Sequence, residues 1–318
     1  TGVRKGNAAV THRVNQFSWS KSRDGLLREC PRRYYFNHYG AWGGWEATAD
    51  PRTRAIYVLK QLKGRRMWAG EVVHTAISDT LTALRGGQAV APKDVLDGLV
   101  DTMRTQWRAS RDGRYWDDPK AGGLFEHEYG VAVSDWEGVR DHAVRCLAAF
   151  FETPWFAAVR DDPGKVLSVE ALARFDFEGT AIHVKIDVAL RNGDGIHIID
   201  WKTGKPTAAQ VDLQLACYAL YAAEAWSVGA SDITCVESNL AQGTDRAFRV
   251  EPARLAEAQA HIRESIAGMQ RLLRDPTANV AVEEDFPFTD EERQCRWCPF
   301  RKVCPRFAAS PGDPAARA

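Results

Sequence analysis

Several features are missing from this 318-residue sequence, and each absence excludes a class of protein. No apolar run is long enough to cross a bilayer and no signal peptide opens the chain, so we expect a soluble, cytoplasmic protein without membrane contacts. No G-x4-G-K-S/T sequence is present, which excludes a helicase motor of the P-loop type. A length of 318 residues predicts about two domains or one elaborated domain, and an apolar share of 45% with 10% aromatics argues against a disordered chain.

The sequence also has no net charge, with 42 basic and 42 acidic residues, so no global signal indicates nucleic acid. The charges are nevertheless unevenly distributed. Residues 1–66 contain 14 Lys or Arg and 4 Asp or Glu, a net charge of +10 that the rest of the chain balances. A basic front on an acidic body is typical of a protein with one polyanion-binding surface, although on charge alone a solvated basic arm is the simpler interpretation.

The seven cysteines are an odd number, which argues against a fully paired disulfide framework. Three of them lie singly within apolar patterns and are predicted to be small core residues: Cys146, Cys217 and Cys235. The other four lie in charged or proline-flanked segments: Cys30 and the triple Cys295-x2-Cys298-x5-Cys304. Close cysteine spacing is typical of zinc sites, and four thiolates also suit a 4Fe–4S cluster. Spacing alone permits either metal centre.

The hydrophobic period changes from helical to strand-like near residue 165. Helical segments are predicted at 52–85, 92–110 and 133–152, after a short helix that ends near Cys30. Three strands are predicted next, at 165–179, 180–192 and 195–204. A helix at 208–226, strands at 232–240 and 246–250 and a helix at 252–274 complete the pattern. This order predicts an α/β core with a helical insertion in front of it.

Two aspartates and a lysine are predicted to meet at the end of one hairpin. The turn-rich segment 191–195 joins two strands and brings Asp187 near Asp200 and Lys202. Paired carboxylates in an apolar sheet are unfavourable unless positive charge lies between them, and Mg²⁺ is the natural occupant. The lysine can then orient or deprotonate a water or stabilise charge on a phosphate. An isolated Asp-x-Lys tripeptide, however, more often simply ends a strand.

The surrounding residues resemble the PD-(D/E)XK nuclease superfamily, in particular its RecB-like and AddB-like exonuclease branch. Ile186-Asp187 and the segment Asp200-Trp201-Lys202-Thr203-Gly204 match that branch's iD and DyKTG motifs. Three further matches occur in the expected order: Gly70 and His74 for G-x3-H, Glu170 for an acid on the first core strand, and Gln214 and Tyr218 for Q-x3-Y.

The resemblance implies a fold and a set of roles. The fold is a restriction-endonuclease-like α/β core, a central mixed sheet flanked by helices. Asp187, Asp200, His74 and the backbone carbonyl of Trp201 would bind Mg²⁺ or Mn²⁺, and Lys202 would activate water or stabilise charge. Three other side chains would support the site: Glu170 as an outer acid, with Gln214 and Tyr218 holding the site or contacting the strand.

The cysteines resemble an iron–sulfur subgroup of this branch, which has one cysteine before the core and three after it. The resemblance favours a 4Fe–4S cluster over zinc and implies that Cys30, Cys295, Cys298 and Cys304 fasten the two chain ends together. We therefore expect one elaborated nuclease domain, 1–318, with three parts: a cluster lobe (1–45 plus 285–310), a helical insertion (86–164) and a catalytic core (165–275). The insertion could be a lid, a channel wall or a packing layer.

The expected activity is metal-dependent hydrolysis of DNA, as an exonuclease on single strands or DNA ends in repair, recombination, phage defence or CRISPR-type processing. Arg32, Arg33 and Tyr34 are predicted to contact DNA, because arginines and aromatics suit phosphates and unstacked bases, although they could instead pack around the cluster. A separate helicase or a CRISPR or defence protein is a possible partner. The alternatives are a structure- or modification-specific endonuclease and a catalytically decayed DNA-binding module.

Overall fold

The computed structural model describes residues 13–204, 208–249 and 251–308. Residues 1–12 of the basic front and residues 309–310 of the expected cluster lobe lie outside the described residues. The chain begins with three short helices, α1 (Lys21–Glu29), α2 (Pro31–Tyr35) and α3 (Pro51–Leu59), and a π-helical turn follows α2 at Phe36–Gly40. Ser20 caps α1 by accepting the N–H of Arg23, which defines where that helix starts.

The next part of the chain is mainly helical. A two-residue strand, β1 (Leu62–Lys63), pairs in parallel with β2 (Gly123–Leu124). The helices between and after them are α4 (Arg65–Arg85), α5 (Pro92–Arg111), α6 (Phe125–Glu128), α7 (Trp136–Phe151) and α8 (Pro154–Asp161). Helix α4, 21 residues long, packs against α5, α7 and α8 and so forms the centre of this layer.

Seven strands and four helices complete the described fold. The strands are β3 (Val166–Val169), β4 (Leu172–Phe177), β5 (Thr180–Lys185), β6 (Val188–Asn192), β7 (Gly195–Lys202), β8 (Ile233–Asn239) and β9 (Thr244–Arg249). The helices are α9 (Ala208–Trp226), α10 (Pro252–Arg271), α11 (Glu292–Arg296) and α12 (Pro305–Ala308).

Five strands form one mixed sheet in the order β3-β6-β7-β8-β9. Only β7 and β8 run parallel, because α9 lies between them in the chain and carries it back across the sheet. Strands β4 and β5 form a separate antiparallel pair, against which Trp19 adds a bridge to Ile182. The mixed α/β fold with a central sheet flanked by helices is therefore confirmed.

Apolar layers cover both faces of the sheet. Ile198 faces a core shared with α9 and α10, and Ile199 faces a core shared with α4 and α7. Both isoleucines are completely buried, and they fix the strand that carries Asp200 and Lys202. The three predicted core cysteines are also buried. Among the described helices, none has the length and apolar character needed to cross a membrane.

Three elements predicted from the sequence are interrupted in the structure. The predicted helix at 52–85 is interrupted between α3 and α4, where β1 and the extended Gly64 intervene. The predicted strands at 165–179 and 180–192 are each broken in two, at Glu170 and at Ile186–Asp187. The break at Glu170 has a backbone cause. Glu170 adopts a left-handed conformation with φ of 48°, which is incompatible with a continuous strand.

Candidate active site

The two strand breaks lie side by side and create the site. The last pair of the β3–β6 ladder is Val169 with Val188, and beyond it the chain diverges into the β4–β5 pair. The N–H of Glu170 donates to the carbonyl of Asp187 over 2.9 Å, so the two breaks are joined by one hydrogen bond. Both carboxylates therefore stand at the point where two strands leave the main sheet.

Helix α4 supplies a histidine to the same point. A Cβ atom on Gly70 would lie 2.9 Å from the hydroxyl of Thr203, so glycine allows the helix to approach the end of β7. One turn later, His74 Nδ1 lies 3.4 Å from Glu170 Oε1 and 3.4 Å from Asp187 Oδ2. Within the described ranges, these three residues are the only group of at least three His, Cys, Asp or Glu whose ligand atoms lie mutually within 4.8 Å.

Electrostatic contacts in this group favour a protonated histidine. Burial by itself lowers the pKa of His74, but hydrogen bonds and attraction from Asp187 and Glu170 raise it to about 10. Burial also acts on Glu170 and favours its neutral form. Contacts with His74 and Lys185 outweigh that effect and lower the pKa of Glu170. The protonated imidazole lies between two carboxylates, and their negative charges favour a cation at this point.

Asp200 lies next to this group on β7 and has its own partners. Its Oδ1 accepts from the amide of Gln214 at 3.1 Å and is 3.4 Å from the hydroxyl of Tyr218, and its Oδ2 is ion-paired with Lys202. The tyrosine hydroxyl donates to the carbonyl of Lys185 as well, at 2.8 Å. Burial, followed by repulsion from Asp187, raises the pKa of Asp200 to about 6 despite the lysine.

The backbone of Trp201 connects the two acids. Its N–H donates to Asp187 Oδ2 at 2.8 Å, whereas the carbonyl of the next residue, Lys202, accepts from Leu240 on the opposite side of the strand. The N–H and C=O of one strand residue point toward the same neighbour. The carbonyl of Trp201 therefore faces the side on which Asp187 lies.

A family model for the PD-(D/E)XK nuclease superfamily matches residues 18–305, which is most of the chain. The chain belongs to this superfamily. A search of curated proteins found no match to it. Membership confirms the broader part of the sequence-based resemblance and supports a metal-dependent nuclease, since enzymes of this superfamily use divalent metals such as Mg²⁺ or Mn²⁺.

The donor set of this PD-(D/E)XK site fits such an ion. Two carboxylates and an imidazole converge, a backbone carbonyl faces them, and the buried negative charge is offset only by protons and lysines. Hard divalent cations prefer oxygen ligands and tolerate one imidazole. Glu170 Oε1 lies as close to His74 Nδ1 as Asp187 Oδ2 does, at 3.4 Å.

Sequence reasoning missed three polar side chains that hold this nuclease site together. Lys185 is ion-paired with Glu170, and His142 of α7 bonds the carbonyl of Thr203 at 2.7 Å. Asn239 of β8 donates to the carbonyl of Gly204 at 2.9 Å. With Leu240, these contacts hold every carbonyl of the Lys202–Gly204 segment. Only Lys185 had a signal in the sequence, since it lies two residues before Asp187 on a strand.

Arg32 and Tyr34, which are predicted to contact DNA, are both buried in this structure. Tyr34 is completely buried among aromatic rings, and Arg32 is 7% exposed and forms an ion pair with Glu283 at 3.0 Å. Neither side chain can reach a strand on the surface, because each fills the interior. Arg33 is partly exposed and ion-paired with Glu29 at 2.7 Å.

The four loop cysteines of the nuclease come together. Cys30, Cys295, Cys298 and Cys304 line one small cavity, although about 265 residues separate the first two in the chain. Burial raises the pKa of Cys298 to about 12 and also raises that of Cys304. All four lie in the described part of the chain.

Proposed function

We propose that this PD-(D/E)XK protein is a metal-dependent deoxyribonuclease of the RecB-like and AddB-like branch, acting as an exonuclease on single-stranded DNA or DNA ends. One observation carries the proposal. His74, Glu170 and Asp187 converge at two adjacent strand breaks, and Asp200 and Lys202 lie beside them on one rigid strand. A structural core gains nothing from gathering three carboxylates, a histidine and a lysine at one point.

The residues divide the work of phosphodiester hydrolysis between them. Asp187, Asp200, His74 and the Trp201 carbonyl would bind the divalent ion, which would supply Lewis-acid activation of water and phosphate when bound. Lys202, one-third exposed beside Asp200, carries the positive charge that can stabilise a phosphate oxygen or position a water. Gln214 and Tyr218 hold Asp200, and Glu170 orients His74 from its second side.

The branch assignment and the cluster are supported by separate observations. Gly70 is required for α4 to approach Thr203, and Gln214 and Tyr218 both contact Asp200, which gives each branch motif a function in the site. For the cysteines, the resemblance to the iron–sulfur subgroup favours a 4Fe–4S cluster, in which each thiolate binds a different iron, and the convergence of all four cysteines on one cavity supports it.

The proposed organisation follows from these centres. Residues 165–275 form the catalytic core, residues 86–164 the helical insertion, and residues 1–45 with 285–310 the cluster lobe. The insertion supports the core, since α7 contributes His142 to the segment after Lys202. DNA is the proposed substrate, and a helicase or a CRISPR or defence protein is the proposed partner in repair, recombination or antiviral DNA processing.

Degradation of end-labelled DNA with Mg²⁺ or Mn²⁺ tests the proposed activity. Asp200→Ala and Lys202→Ala should each lower the rate about a hundred- to a thousandfold, because the first removes a ligand of the divalent ion and the second removes the cation beside the reacting phosphate. The matched control is the exposed pair Asp97→Ala and Lys93→Ala on α5, which should keep full activity. If wild-type protein with its cluster intact and the site variants are equally inert on every DNA and RNA tried, the nuclease proposal fails.

Circular substrates separate the exonuclease from the endonuclease alternative. An obligate exonuclease needs an end, so closed single-stranded circles should survive conditions that degrade the same strand once it is linear. Cutting of the circle would assign an endonuclease to the same site and reject the dependence on ends.

A further inference from the structure

The exposed tryptophans of this protein are confined to one region. Of the 11 tryptophans, four have more than a third of their surface exposed: Trp42, Trp45, Trp116 and Trp297, at 38–51%. Trp45 and Trp116 contact members of the third apolar core, Tyr57 and Tyr115, and this core also includes Cys298 and Cys304. We call the four exposed tryptophans the aromatic surface. The other seven tryptophans are buried or half-buried elsewhere.

Contacts connect the aromatic surface from one end to the other. Trp42 packs edge-on against Trp45 with ring centres 5.1 Å apart, and Trp45 meets Tyr57 at 6.0 Å. Arg54 donates to the carbonyl of Gly44 at 3.2 Å and lies 3.5 Å from that of Asp117, which bridges this pair to Trp116. These links place three of the tryptophans on neighbouring loops.

Trp297 joins from the other side through α6. The indole of Trp116 donates to Glu128 at 3.0 Å, and Lys302 is ion-paired with the same carboxylate. Along the same helix, the ring of Phe125 lies 5.4 Å from that of Trp297. A chain of contacts therefore links Trp42 to Trp297.

Charge distinguishes a nucleic acid from a protein as its occupant. Exposed tryptophans are found at both kinds of interface, so the rings alone do not decide. The segments that carry the aromatic surface, 40–66, 114–129 and 296–306, contain 12 Lys or Arg and 6 Asp or Glu, whereas the whole chain is neutral. The segment after Cys295 is the most basic part, with four cations and no acid. Cations interleaved with exposed rings are typical of single-strand binding sites.

The aromatic surface also leads toward the candidate active site. Glu126 of α6 accepts the N–H of Arg65 at the start of α4, at 3.1 Å. Nine residues later the same helix presents His74, a rise of about 13 Å. Between them Met67 is 65% exposed on the helix face that carries His74, because a seven-residue step returns to nearly the same side. Met67 is therefore an exposed apolar side chain on the His74 side of α4, between the start of the helix and the metal ligands.

We propose that the aromatic surface is a stacking platform for the bases of single-stranded DNA. The strand would pass from this platform along α4 to the metal site. The proposal rests on the proposed nuclease function and specifies where that substrate is held outside the site. Phosphates would contact the Lys and Arg side chains of segments 40–66, 114–129 and 296–306. Unstacked bases would lie on Trp297, Trp116 and the Trp42–Trp45 pair. Such contacts do not depend on base identity, so binding is not sequence-specific.

Binding of a fluorescent oligothymidylate, followed by anisotropy in EDTA with the cluster intact, tests this surface independently of catalysis. Trp45→Ala should weaken binding about tenfold and Trp42→Ala with Trp45→Ala up to a hundredfold, since each stacked base contributes on the order of 1–3 kcal/mol. Trp45→Phe should stay within about threefold of wild type because it keeps a ring. Arg296→Gln should lower the slope of log affinity against log salt by about one.

The control is Leu172→Ala, which removes a 72% exposed side chain from β4 and should leave affinity unchanged. The proposal is overturned if the double tryptophan variant binds oligothymidylate as tightly as wild type, or if Trp45→Phe loses as much as Trp45→Ala. If the tryptophan variants lose binding but the wild-type protein never hydrolyses DNA, the nuclease function is rejected and the platform stands. If the double variant keeps both its affinity and its rate of hydrolysis, the platform is rejected and the nuclease function stands.

Discussion

The carboxylate site and the cysteine pocket of this protein balance their charges in opposite ways. In the carboxylate site each acid already has a cation beside it: Glu170 has Lys185, Asp200 has Lys202, and a protonated His74 lies between Glu170 and Asp187. In the cysteine pocket, burial raises the pKa of Cys298 to about 12, so its thiolate is strongly disfavoured without a metal. The first site is therefore assembled by the fold, and the second needs its occupant.

The elements around the two centres differ in the same way. Glu170, Asp187 and Asp200 are at strand ends, and His74 lies on a 21-residue helix between two apolar layers. The cysteines lie on or beside helices of four or five residues near the two chain ends, such as α2 and α12. Short helices have little stability of their own, so cross-linking by a cluster would contribute far more there than a divalent ion would in the sheet.

The largest expected effect follows from this contrast and concerns folding. Cys298→Ala should abolish iron binding and the absorbance near 400 nm, and should destabilise the protein by several kcal/mol, because the binding energy of a structural metal centre is folding energy. Cys146→Ala is the matched control: it removes a completely buried core thiol and should cost only about 1 kcal/mol with full iron content. Thermal unfolding and iron analysis measure both. Stoichiometric zinc without iron, or equal stability of the two variants, would contradict the contrast.

The carboxylate site was largely accessible from the sequence because its geometry is local. A period of two, a turn at residues 191–195 and the buried Ile198 and Ile199 fix where Asp187 and Asp200 meet. The strand breaks were not accessible. Glu170 continues an alternating pattern, and nothing in a glutamate indicates a left-handed backbone, for which glycine is the usual signal.

The cysteine lobe was harder to predict, because its contacts are between the chain ends. Arginine and tyrosine next to Cys30 suggested a DNA surface, yet Arg32 is neutralised by Glu283, 251 residues away in the chain. Composition cannot show which of two aromatic segments is buried, and here the segment after Cys30 packs inside while Trp42 and Trp45 remain exposed. His142 was missed for the same reason, since its partner lies 61 residues away.

The second-largest expected effect concerns the loss of folding stability caused by the buried charge of Asp200. Asp200→Asn should stabilise the metal-free protein at pH 7 by roughly 1–3 kcal/mol, because the pKa of Asp200 rises from its ordinary 3.8 to about 6 through burial. An acid with a raised folded-state pKa binds more protons folded than unfolded between those values. Its contribution is therefore complete below pH 4 and is lost as the pH rises through 6.

Urea unfolding in EDTA from pH 4 to 8 measures this difference, and the variant should lose that part of the pH dependence. Asp24→Asn is the control, because Asp24 is equally buried but already satisfied: it accepts from Ser265 at 2.6 Å and lies 3.1 Å from His261. That change should destabilise the protein. If Asp200→Asn also destabilises it, the carboxylate site does not store unfavourable charge and the contrast with the cysteine pocket disappears.

The smallest effect concerns competition between a proton and a divalent ion at His74. Burial lowers the pKa of His74, but Asp187 and Glu170 raise it to about 10. The imidazole is therefore protonated at pH 7 in the metal-free protein. An imidazole must be neutral to bind a metal ion, so binding releases this proton and affinity for Mn²⁺ should rise with pH, by at most tenfold per unit. Calorimetric titration at pH 6.5, 7.5 and 8.5, in two buffers of different ionisation enthalpy, measures affinity and proton release together.

His74→Gln should bind more weakly with a flatter pH dependence, because an amide carries no proton to displace. A wild-type affinity that does not change across this range would mean that the proton and the ion occupy different places, and that the balanced charges of the carboxylate site are not a substitute for the metal.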